Sequence, residues 1–215
     1  MLLFAHTGIA LGLGWLIKEK SAARLAASSR KMTLSSVSGE LMEVNTVSDS
    51  FGKSSSFTQI MAGIDLRVLV VGSMLPDIID KPLGQIILRD SLNNGRIYSH
   101  TLLFLILLTL AGLWLYHSRR QLWIGLLAWG TLMHLLLDEV WLTPATLFWP
   151  LLGHGFPRLE ETVPEWVGNM FRELFSNQAV FIPELIGFII LVIFAIVLFR
   201  RHTLRLFLRN GLITK

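Results

Sequence analysis

No cysteine occurs in the 215 residues of the chain. That excludes disulfides and thiolate metal sites, so any metal ion has to be held by His, Asp or Glu. Charge is scarce as well. Only 16% of residues are Asp, Glu, Lys or Arg, against roughly 25% in an ordinary soluble domain, while 53% are hydrophobic. Water is therefore not the main solvent expected for this protein. Neither Gly-x-Ser-x-Gly nor His-Glu-x-x-His is present, which weighs against a serine lipase and a zinc protease of the two-histidine helical kind. The excess of 19 basic over 15 acidic residues is expected to report membrane topology, and no nucleic-acid partner is expected.

Five apolar runs are present, at residues 2–17, 64–79, 100–116, 121–142 and 183–199. At about 1.5 Å per residue, lengths near 17 to 25 cross a hydrocarbon core of roughly 30 Å. The expected architecture is all-α, a polytopic membrane bundle of about five transmembrane helices forming one domain over residues 1–215. The first run has no basic segment ahead of it and no small-residue cleavage pattern behind it, so it reads as a retained span rather than a signal peptide. Residues 21–56 turn to Ser, Lys, Asn and Gly and read as a mobile insertion. The second run is expected to break at Pro76, and the fourth to form the longest helix. Between the last two runs, residues 165–175 space Trp166, Val167, Met170, Phe171, Leu174 and Phe175 at helical intervals, the pattern of a helix lying on a membrane interface.

Lys18, Lys20, Arg24, Arg30 and Lys31 follow the first run, Arg119 and Arg120 join the third to the fourth, and Arg200, Arg201, Arg205, Arg209 and Lys215 follow the fifth. With five crossings all three clusters fall on one side. The positive-inside rule makes that side cytoplasmic, with the C-terminus there and the N-terminus outside.

An ionisable side chain within a span costs roughly 2.5 to 3.5 kcal/mol by insertion scales and calls for a reason. Six stand out: His6, Asp77, Asp80, His100, His134 and Asp138. Counted from the basic ends of their runs, all six fall in the outer half. Asp77 with Asp80 is an i, i+3 pair and His134 with Asp138 an i, i+4 pair, so each pair projects from one helical face. Imidazole and carboxylate donors suit zinc first, then manganese or iron, as one or two ions. Each residue alone has a plainer explanation. His6 can be a packed, hydrogen-bonded histidine, Asp77 a helix cap, and His134 with Asp138 a polar contact between helices. Convergence of six at one depth favours a shared site. Glu139, His117, His154 and His202 fall at run ends or in loops and are expected outside it.

The stretches Phe4-Ala5-His6-Thr7-Gly8, Gly72-Ser73-Met74-Leu75-Pro76-Asp77-Ile78-Ile79-Asp80, Arg96-Ile97-Tyr98-Ser99-His100-Thr101, His134-Leu135-Leu136-Leu137-Asp138 and Trp149-Pro150 resemble the prokaryotic membrane-bound metal-dependent hydrolases, inner-membrane proteins of the YdjM kind. The resemblance runs in order along most of the chain, apart from the Ser-rich stretch and the C-terminal tail. It implies an inner-membrane location, and it matches the same six residues to that family's presumed metal-binding positions.

The chemistry expected is hydrolysis by water activated at a divalent ion, with Asp80 or Asp138 as the general base. Arg96 and Lys81 are the candidates for holding a phosphate or carboxylate of the substrate. A site flanked by Trp141, Phe148, Trp149 and Trp166, residue types favoured at interfaces, suits a membrane lipid or lipid-linked ester or phosphoester. Two other classes use the same residues: an ion or metal transporter, and a non-catalytic assembly protein whose polar cluster ties helices together. The lack of an internal repeat and the apolar cytoplasmic halves of the later runs weigh against transport.

Overall fold

A computed structural model describes residues 3–37, 58–158, 163–211 and 213. Among them every regular element is helical. Helix α1 spans Leu3–Val37 and α2 spans Leu66–Pro82, continuing into a π-helical turn at Leu83–Ile87. A short 3-10 turn at Tyr98–His100 leads into α3, Leu102–Arg119, followed by α4, Trp123–Leu137. After a second 3-10 turn at Val140–Leu142 come α5, Pro144–Leu147, α6, Val163–Ser176, α7, Gln178–Arg200, and α8, Leu204–Asn210. The chain divides into two compact units, Leu13–Ile64 and the remainder, Met1–Gly12 with Asp65–Lys215. Within the smaller unit, the Lys18 ammonium donates to the Ile64 carbonyl at 2.8 Å.

Two helices, α3 and α7, are long and apolar enough to cross a membrane, and α4 is a shorter apolar helix. Only 11% and 17% of the apolar windows of α3 and α7 are buried within the protein. A core helix of a water-soluble domain would be covered nearly all round, so these two fit lipid surroundings.

Three expectations change. The fourth run, expected to be the longest helix, is helical for only 15 residues, because Asp138 ends it and Glu139 turns the backbone into the left-handed region at φ 50°. The stretch after residue 20, read as a loop, is helical as far as Val37, while residues 38–57 lie outside the described set. Finally, α2 does not break at Pro76 but passes through it. Proline lacks the N–H that would bond the carbonyl four residues back, and here that carbonyl, Gly72, accepts instead from Thr131 Oγ1 of α4 at 3.3 Å. Neighbouring side chains that take up freed carbonyls are what let proline sit inside membrane helices.

The helices of the larger unit meet at glycines. A Cβ built on Gly130 of α4 would lie 2.5 Å from the Ser73 nitrogen and 2.6 Å from the Gly72 carbon of α2. One built on Gly8 of α1 would overlap the Gly187 carbonyl of α7. Small residues let helix backbones approach closely where lipid supplies no hydrophobic push.

Gly130→Ala forces backbone against backbone and is expected to cost roughly 1 to 3 kcal/mol, read as a lower unfolding temperature in detergent. Gly125, whose Cβ would meet nothing within 4 Å, is the control. Gly125→Ala is expected to be neutral or to stabilise by up to about 1 kcal/mol.

Candidate metal centre

His134 sits in the last turn of α4, fully buried. Its Nδ1 lies 2.7 Å from the Ser73 carbonyl of α2. A carbonyl only accepts, so Nδ1 carries the proton, and in the neutral ring Nε2 is left with a bare lone pair. His100, also fully buried, ends the 3-10 turn before α3. Its Nδ1 is 2.7 Å from Asp80 Oδ2, which again places the proton on Nδ1 and leaves the Nε2 lone pair exposed to the site. The two Nε2 atoms face each other at 3.2 Å. Two lone pairs at that distance repel unless something electron-poor lies between them.

Carboxylates complete the constellation. Asp77 Oδ1 is 3.7 Å from His100 Nε2 and 3.8 Å from His134 Nε2. Asp138 Oδ2 lies 3.9 Å from each of the same nitrogens. Donors around a tetrahedral ion bound at 2.0–2.1 Å stand roughly 3.3 Å apart, close to these spacings. His6, from the first turns of α1, stacks on His134 with ring centroids 4.1 Å apart and places Nε2 3.2 Å from Asp138 Oδ1. Both His6 ring nitrogens are buried without a hydrogen bond, an unusual condition for a polar group removed from water. Two overlapping groups therefore have the spacing to hold a divalent ion, Asp77 with His100 and His134, and His6 with His134 and Asp138.

Asp80 stands apart from both groups. It is fully buried and accepts from the His100 ring and from the backbone N–H groups of Ile97, Ser99 and His100 at 2.7 to 3.2 Å. A carboxylate holding an imidazole by its far nitrogen fixes the ring's tautomer and direction. Ser99 ties the same turn to α2, its Oγ donating to the Pro76 carbonyl at 2.9 Å.

The two expected substrate cations pair with site carboxylates. Lys81 Nζ lies 2.7 Å from Asp77 Oδ2, and an Arg96 guanidinium nitrogen lies 2.8 Å from Asp138 Oδ2. All four line a cleft of about 620 Å³ whose lining also includes Asn169, Arg172 and Glu173 of α6. Of the expected flanking aromatics, Trp141 and Phe148 are exposed, whereas the Trp166 side chain lies outside the described set. Glu139, His117, His154 and His202 are exposed.

One residue escaped the sequence reading. Glu184 of α7 is 4% exposed, and its Oε2 accepts from the Phe4 N–H at 3.0 Å. The first N–H groups of a helix lack internal partners and favour a negative charge, so Glu184 secures the turn that carries His6. The available signal was an acid, one residue after Pro183, inside the apolar run at 183–199.

A family model described as YdjM inner membrane protein matches residues 45–209. The chain belongs to the YdjM family. No curated protein and no solved structure matches it. The YdjM match takes in Asp77, Asp80, His100, His134 and Asp138 and begins after His6. This is thus an inner-membrane protein family member with a buried His/Asp cluster able to hold a metal ion.

Replacing Asp80 by asparagine keeps the volume but weakens its hold on His100 Nδ1. Asp80→Asn is expected to lower metal affinity by about 10- to 100-fold with helical content retained, read by chelator competition and far-UV circular dichroism on the same sample.

Proposed function

We propose that this protein is an integral-membrane metal-dependent hydrolase acting on a lipid or lipid-linked ester or phosphoester. The observation that carries the reading is the pair of Nε2 lone pairs facing each other at 3.2 Å beside two carboxylates. Asp77, His100 and His134 would hold the ion, a three-donor His/Asp set of the kind that catalytic zinc sites use. The chemistry that a divalent ion, zinc by preference, would supply there is Lewis acidity and a water acidic enough to ionise near neutral pH.

The remaining steps belong to the chain's own residues. Asp138 is the general base: Oδ2 lies 3.9 Å from both Nε2 atoms, and Oδ1 lies 3.2 Å from His6 Nε2. A proton taken by Asp138 passes to His6, whose Nε2 approaches Asp138 Oδ1 at 3.2 Å and whose ring nitrogens have no hydrogen-bond partner. Arg96 holds the Asp138 carboxylate in place. Asp80, with its oxygens engaged by one ring and three backbone N–H groups, is a positioning residue for His100 rather than the base. Lys81 and Arg96, paired with Asp77 and Asp138 at the cleft lining, add positive potential that favours an anionic substrate.

For placement in the membrane we propose five crossings, with the Lys- and Arg-rich ends cytoplasmic and the site in the outer half. The distribution of basic residues supports this.

Metal content by plasma mass spectrometry, paired with turnover of phosphatidate and of a nitrophenyl phosphodiester, tests the assignment. Native protein is expected to carry about one or two equivalents of zinc or a similar ion. His134→Ala is expected to lose it, and Asp138→Asn to keep at least one equivalent while turnover falls by roughly 10²- to 10⁴-fold. Native protein that stays metal-free after resupply overturns the hydrolase reading.

A further inference from the structure

Helix α6 is amphipathic in the inverted sense. Asn169, Arg172, Glu173 and Ser176 recur at i, i+3, i+4 and i+7, and all four line the cleft. Val167, Phe171 and Phe175 lie on the opposite face and are 37%, 53% and 76% exposed. A helix on the surface of a water-soluble protein buries its apolar stripe and turns the polar one outward. Here the polar stripe, though exposed, lines the cleft together with Met170, while Val167, Phe171 and Phe175 lie on the other face and are left uncovered. An uncovered apolar stripe on a member of an inner-membrane family calls for an apolar medium on that side. The position of α6 agrees: Asn177 alone separates it from α7, one of the two helices fit to cross the membrane, and the two helices pack together.

The charges inside the cleft add a second observation. Among the described residues lining it, Lys81, Arg96 and Arg172 stand with Asp77, Asp138 and Glu173, three cations and three carboxylates. Lys81 and Arg96 are already paired with Asp77 and Asp138. The Arg172 guanidinium makes no ion pair among the described residues and is exposed. A divalent ion on Asp77, His100 and His134 would add two positive charges to this described lining, which favours an anion beside Arg172.

We propose that α6 is the bilayer-immersed wall of the cleft and that Arg172 on its inner face binds the phosphate of a phospholipid-like substrate. The lipid's tails stay on the side of Val167, Phe171 and Phe175 while its headgroup turns inward past the helix. The choice of substrate rests on the hydrolase reading above, whereas the immersion of α6 stands without it. Arg172 is the fitting residue because a guanidinium fork meets a phosphate with two parallel hydrogen bonds.

The experiment has two arms on the full chain. Since the protein has no cysteine, Phe171→Cys and Asn169→Cys each carry one bimane label, read in phosphatidylcholine liposomes containing brominated lipid. Strong quenching at 171 and weak quenching at 169 is expected. Equal quenching, or the reverse order, overturns the immersed wall. In the second arm, binding of dioctanoyl phosphatidate, dioctanoyl glycerol and inorganic phosphate is measured in detergent for native protein and for Arg172→Ala. Phosphatidate is expected to bind tightest, and Arg172→Ala to weaken it roughly 10- to 100-fold with metal content unchanged. If the glycerolipid binds as well as phosphatidate, or Arg172→Ala binds like native protein, the phosphate role is overturned. If inorganic phosphate binds as tightly as phosphatidate, the lipid origin is overturned. Metal content read on the same samples separates this result from the hydrolase reading: metal-free native protein that binds phosphatidate through Arg172 sinks the latter alone.

Discussion

Pro76 has no N–H to give the Gly72 carbonyl, and the site is arranged around what takes its place. Thr131 Oγ1 donates to that carbonyl, and one residue further along α2 the Ser73 carbonyl receives His134 Nδ1. A proline that would break an isolated helix thus fastens α2 to α4. The neighbouring bond from His134 Nδ1 to the Ser73 carbonyl decides which nitrogen of His134 is protonated, and so where its lone pair points. The glycines at 72 and 130 permit it, because any side chain there would hold the two backbones apart. Packing, hydrogen bonding and ligand direction are here one constraint.

Asp80 does for His100 what the Ser73 carbonyl does for His134, with a charge in place of a dipole. Burying a carboxylate with no exposure is costly unless its lone pairs are met, and three backbone N–H groups together with an imidazole N–H meet them. Those backbone groups belong to the turn at 97–100, so the carboxylate orders the turn and the ring together. The result is two rings held from behind by strong acceptors with their Nε2 atoms turned inward. No further imidazole proton is available there to relieve the repulsion, which is why the cluster suits a cation.

The six ionisable positions were legible from the sequence because depth and helical spacing are both properties of a single run of residues. What joins the runs was less so. Asp80 and Asp77 are three residues apart on one helix, yet Asp77 faces the two rings while Asp80 lies behind one of them, a distinction set by the turn at His100 and invisible in periodicity. Pro76 looked like a break because the sequence does not show Thr131 waiting across the interface. The helix expected over 121–142 stops at Leu137 because Glu139 adopts a left-handed backbone, a choice no apolar run betrays. The Ser-rich composition after residue 20 hid a continued helix, since serine, lysine and alanine are not unfavourable enough to end one.

His6 shows how a residue outside the matched part of the family can still belong to the site. Nothing in α2, α3 or α4 holds it by a hydrogen bond; it reaches the cluster because α1 is pinned at its first turn. Glu184 accepts from Phe4, two residues before His6, and Gly8, two residues after it, meets Gly187 with no room for a side chain. These two contacts on α7 bracket the histidine and leave its ring against His134 and Asp138. An acid buried in a membrane helix would be a liability if it served only to attach two helices, since an apolar contact would do that at lower cost. A carboxylate at the head of α1 becomes intelligible when the turn it caps must present one imidazole to a fixed point. Glu184 therefore belongs to the chemistry of the site although it stands outside the cluster.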